Sequence, residues 1–99
     1  MLDEHAANDD MVEGMVNYGR MLLGVQVAAL AWEWPVQLPD GSTRLETKVS
    51  LRSRGEVDVS AIAVALGGGG HRSAAGAQVA GDIASVLARV REESRRLIR

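Results

Sequence analysis

Cysteine is absent from this 99-residue chain, and so is phenylalanine. Without thiols there is no disulfide framework and no thiolate metal site; that usage suits a reducing compartment, so a cytoplasmic location is expected. The aromatic residues are Tyr18, Trp32 and Trp34, and an extended base-stacking platform is not visible among them. Long apolar runs are missing as well. One of the longest, Val27 to Trp32, is bounded by Gln26 and Glu33 and is far too short to cross a bilayer. No signal peptide is evident, and no membrane partner is expected. There are two histidines, His5 and His71. His5 sits among Asp3, Glu4, Asp9 and Asp10, but their spacing matches no metal motif, and residues 1–9 read as a solvated lead-in.

What is present is an ordinary apolar share of 46%, enough for one small domain over residues 10–99. The net charge of −2 is unevenly spread. Residues 1–43 carry seven acids and the single base Arg20, whereas residues 44–99 carry ten bases and six acids. The basic half holds the most unusual stretch, Leu66-Gly67-Gly68-Gly69-Gly70-His71-Arg72, which runs on into Ser73-Ala74-Ala75-Gly76. Four glycines in a row cost much backbone entropy, so a folded domain needs a reason for them. Two readings stand. Either the run is a flexible linker, or it lets an anion approach the main chain, with Ala74 and Ala75 starting a short helix and His71 at its N-terminus.

The periodicity predicts a helix from Met11 to Leu23, ended by Gly24. An almost wholly apolar strand follows from Val25 to Trp34, closed by Pro35. Leu38-Pro39-Asp40-Gly41-Ser42 is a turn, and the strand from Arg44 to Arg54 alternates strictly. Leu45, Thr47, Val49 and Leu51 take one face; Lys48, Ser50 and Arg52 stand on the other, about 7 Å apart. Asp58 caps a helix from Val59 to Leu66, with Gly67 at its C′ position. After the glycine run and the short helix come a strand, Gly76 to Ala80, and a last helix whose stripe is Ile83, Val86, Leu87, Val90 and Leu97. The expected fold is α/β or α+β, a small mixed β-sheet flanked by helices.

Three ordered motifs resemble a known family: Lys48 to Ser53, Val57 to Ala63, and Gly67 to His71 followed by Ala74-Ala75-Gly76. They resemble the C-terminal DHHA1 domain of DHH-family phosphoesterases. Glu13 to Tyr18 and Gly24 to Ala28 also fit its nanoRNase branch, the oligoribonucleases and 3′-phosphoadenosine-5′-phosphate phosphatases. RecJ-type exonucleases and cyclic-dinucleotide phosphodiesterases are more distant. The resemblance implies a substrate-binding domain that closes over a separate DHH domain carrying manganese and the attacking water. It implies that Gly68, Gly69, Gly70 and His71 contact the substrate's phosphate or terminal nucleotide and that Arg52 is the phosphate-binding arginine. Ser50 shares that polar strand face, and Lys48 and Arg72 are peripheral candidates. Leu66 stands where many members have Phe.

No Asp-His-His motif and no Asp-x-Asp pair occurs, so a two-metal site cannot be built from this sequence and no cofactor is expected in it. The expectation is an excised or naturally isolated binding domain of a hydrolase, inactive by itself. Its partners would be short RNA, single-stranded nucleic acid or a nucleotide phosphate, and the DHH domain of a parent enzyme. A homodimer is also allowed. The alternative is a structural or dimerisation domain whose glycines merely connect. An enzyme using His71 as general acid or base is the weakest reading, because no nucleophile or paired carboxylate accompanies it.

Overall fold

Gly24 marks the first departure from the sequence reading. Its φ of +70° turns a hairpin rather than ending a helix. The structure, a computed structural model, describes residues 15–24 and 26–97. Asn17–Leu23 is a strand, β1, paired antiparallel with β2, Val27–Gln37. The expected helix from Met11 to Leu23 is therefore corrected over 17–23, while its first turn and the lead-in of residues 1–9 lie outside the described residues. The physical reason is that apolar residues occupy both parities of β1. Met21 and Leu23 face the core and Tyr18 and Leu22 face away, so pairing with β2 overrides a weak helical stripe already interrupted by glycine. Gly19 also makes room for α2, since a Cβ there would lie 3.2 Å from Ile83 Cδ1.

The second strand runs past Pro35, which pairs in register with Leu45 of β3, Thr43–Ser53. Glu33 O accepts from Val16 N on the β1 side, and Pro35 presents its missing N–H on that same side, beyond the start of β1. The ladder to β3 therefore loses nothing. The β2–β3 turn forms as expected: Gly41 has φ +90°, Gly41 N donates to Leu38 O at 2.9 Å, and Ser42 N and Oγ both donate to Asp40 Oδ1.

Helix α1 (Val59–Ala65) begins at Asp58, which accepts from Ser60 N, and ends in the left-handed Gly67, φ +94°. Gly68 N then donates to Ala63 O at 2.7 Å. The short helix expected after the glycines does not form. Gly69–His71 is β4 and Ala74–Ala80 is β5, a second hairpin. Helix α2 (Ile83–Arg95) closes the chain, capped by Asp82. Ser94 rather than Leu97 fills the end of its buried stripe; Leu97 lies past the helix and is exposed.

The strands form one sheet in the order β1-β2-β3-β5-β4, and every pairing is antiparallel where mixed directions were expected. A sheet with two helices bears out the expected fold class, on its α+β side. Both helices lie against one face. Val27, Ala29, Ala31, Val49, Leu51, Ala77 and Val79 from that face meet Val59, Ile62, Val86 and Val90, all buried. Full burial of a side chain such as Leu51 contributes roughly 1.5–3 kcal/mol. Glu33 is the buried acid on this side. It accepts from Asn17 Nδ2 at 2.9 Å and from Ile83 N at 2.7 Å, satisfying a free N–H of α2.

Several carboxylates are held below their ordinary range: Asp58 by the Ser60 hydroxyl, Asp82 by the Ser85 N–H, and Glu46 by the Gln78 amide and then Arg44. Each ionises more readily folded than unfolded. The stability they contribute is thus present above the usual carboxylate range and lost as pH falls through it. The thermal midpoint is expected to stay level from neutrality to about pH 5 and to drop below about pH 4. A midpoint unchanged at pH 3 would contradict this coupling.

Candidate nucleic-acid interface

With both helices on one side, the opposite face of the sheet carries the even-numbered side chains of β3. Arg44, Lys48 and Arg52 are exposed there and Ser50 is half-buried. The registers extend this face across the sheet. Arg52 stands opposite Ala74, and Ala74 opposite His71, so Arg52 and His71 share one face with a single methyl group between them. Two strand spacings separate their backbones, about 10 Å. The next row is Ser50, Gly76 and Gly69, and the one after it Lys48 and Gln78. Four candidates (Lys48, Ser50, Arg52 and His71) thus meet on one surface, joined by Gly69.

The other candidates are placed differently. Gly68 and Gly70 press onto β5: a Cβ at Gly68 would lie 2.1 Å from Gly76 O, and one at Gly70 would lie 2.5 Å from Ala75 Cα. Close packing accounts for glycine at both positions. Gly69 differs, with nothing within 4 Å of a Cβ and no positive φ. Arg72 sits in the β4–β5 turn, where its Nη2 donates to Glu56 O at 3.0 Å. Its carbonyl accepts from Val59 N, and Ser73 O accepts from Ser53 N, so the turn is stitched to the β3–α1 connection. A run hydrogen-bonded in this way is not a flexible linker, and that reading of the glycines is corrected. So is the idea of a helix N-terminus at His71, because small residues here serve close strand approach. A Cβ at Gly76, for example, would lie 2.8 Å from Val49 O.

Charge on this face is one-sided. Glu46 is its acid on β3, and Arg44 and Gln78 already engage it at 2.7 Å each. Among the described residues no acidic side chain pairs with Lys48, Arg52 or His71. No three His, Asp or Glu side chains converge on a metal position among the described residues. Two shallow pockets, ≈ 390 and ≈ 270 Å³, lie between β1 and α2, and the candidate residues line neither.

Sequence reasoning missed the other half of this face. Trp32 pairs with Lys48 on one side and Tyr18 on the other, and Trp34 lies two residues along the same strand. The Tyr18 and Trp32 ring centroids are 5.9 Å apart, tilted by 55°. The period-two series Ala28, Leu30, Trp32, Trp34 was the available signal, but only a β1 in strand form brings Tyr18 beside it.

Comparison with family models decides what kind of domain presents this face: the model of the DHHA1 domain matches residues 1–99. The chain belongs to the DHHA1 family. DHHA1 domains accompany DHH domains as the accessory domain of DHH-family phosphoesterases, a setting of nucleotide or nucleic-acid chemistry. No curated protein matches this DHHA1 domain in sequence.

Proposed function

We propose that this DHHA1 domain grips the phosphate of a short oligoribonucleotide on the open face of its sheet, for a DHH domain that holds manganese and cleaves. The observation that carries the reading is the row His71–Ala74–Arg52, an imidazole and a guanidinium on one solvent-facing surface with no acid between them. Arginine presents a planar fork that matches phosphate oxygens. Gly69 leaves the main chain open to approach beside that row. The resemblance of Glu13 to Tyr18 and Gly24 to Ala28 to the nanoRNase branch makes substrates of that class the ones to try first.

The test has two arms. Titration with 5′-phosphorylated diadenylate should move the amide resonances of Arg52, Gly69 and His71, and an unmoved spectrum at millimolar ligand would reject the reading. The same chain with added manganese should release no mononucleotide. Hydrolysis abolished by a chelator and persisting through a changed purification would show that the domain cuts as well as binds.

A further inference from the structure

We propose that the β1–β2 half of the same face is a nucleobase subsite. Trp32, backed by Tyr18, would stack on a base of a single-stranded oligonucleotide whose phosphate lies at Arg52 and His71. The inference rests on the phosphate reading above and extends it to a substrate of at least two nucleotides.

The geometry supplies the length. Trp32 stands opposite Lys48, four residues along β3 from Arg52, or about 13 Å at strand rise. At that backbone separation we assign the base on Trp32 to a nucleotide next to the one whose phosphate Arg52 holds. Between the two points runs the row Leu30, Ser50, Gly76 and Gly69, apolar beside Trp32 and low toward β4, where no side chain rises from the two glycines. The ring pair itself is accessible: Tyr18 is 53% exposed and Trp32 half-buried, with neither helix on that side.

Charge argues for the same occupant. Arg20 faces outward on β1, diagonal to Trp32, so aromatic surface lies between cations at Arg20, Lys48 and Arg52. A base-plus-phosphate ligand satisfies both components. A second copy of this chain would instead press the same cations together, leaving charge desolvated without a partner.

Trp32 and Trp34 are the two tryptophans of the chain, so fluorescence reads this surface directly. In the Trp34→Phe variant, the remaining indole should be quenched by 5′-phosphorylated diadenylate and not by a sugar-phosphate dimer lacking bases. Trp32→Ala should weaken diadenylate binding about tenfold or more, the scale of one lost stacking contact, and leave inorganic phosphate binding unchanged. Arg52→Ala should weaken both. Equal affinity for the diadenylate and the baseless dimer, or no quenching, overturns the subsite, and neither measurement depends on Trp32→Ala folding. If phosphate still shifts Arg52 and His71 in that event, the phosphate reading survives alone; if it does not, both fail. A dimer that Trp32→Ala dissociates would assign the face to a second copy and overturn the proposal.

Discussion

Gly68→Ala is expected to cost at least about 3 kcal/mol, the upper part of the range for forced overpacking, whereas Gly69→Val, one residue on, should cost less than about 0.5 kcal/mol. The contrast follows from what each Cβ would meet. At Gly68 it would lie 2.1 Å from the Gly76 carbonyl oxygen and 2.7 Å from Ala77 Cα, both backbone atoms of a strand already paired with β3. Neither can move without opening the sheet. At Gly69 it would meet nothing within 4 Å, and the backbone is not in the left-handed region. A β-branched residue is even favoured in strand conformation there. Urea unfolding followed by far-ultraviolet circular dichroism measures both. Equal midpoints for the two variants would mean that Gly68 does not pack against β5 as described. The Gly69→Val protein then serves a second purpose, because it is folded and carries a side chain where the phosphate should approach. Weakened nucleotide binding in it reports on the ligand and not on stability.

The second large effect is on binding. Arg52→Ala is expected to weaken diadenylate binding by about 1–3 kcal/mol, the scale of a charge-assisted hydrogen bond, and Arg52→Lys by nearly as much. Lysine keeps the charge but loses the two-pronged geometry. Stability should barely change in either variant, since Arg52 is exposed and makes no ion pair among the described residues. Calorimetric titration of the three proteins decides the matter. A lysine variant that binds like the wild type would reduce Arg52 to a diffuse charge, and an alanine variant that does so would remove it from the site.

How much of this could be read from the residues depends on whether a local rule or a distant neighbour fixes each one. The alternation from Arg44 to Arg54 needed only the two-residue strand period, and it correctly separated Val49 and Leu51 from Lys48 and Arg52. Asp58 and Gly67 announced both ends of α1 because caps are local chemistry. The segments that misled were those whose partners are far away in sequence. Asn17–Leu23 is a strand because Val27–Glu33 lies beside it, and its own residues fit a broad helical face almost as well. Ala74 and Ala75 favour a helix intrinsically, yet their small size is what lets β5 approach β3 and β4. The same dependence hid the aromatic surface. Tyr18 and Trp32 are fourteen residues apart, and only the hairpin register makes them neighbours.

The row that joins Arg52 to His71 is also unequal in strength. Arg52 belongs to the β2–β3 ladder of eleven paired positions, while His71 is held by a β4–β5 ladder of three at the rim of the sheet, exposed throughout. A hairpin with so few rungs opens at a much lower free energy than the central strands. The two halves of the proposed grip are therefore expected to open at different free energies. The guanidinium stands on the central ladder, and the imidazole on a three-rung hairpin tied down at its turn by Arg72 and Ser73. If phosphate binds across the row, it should slow amide exchange at Gly69, Gly70 and His71 more than at Arg52.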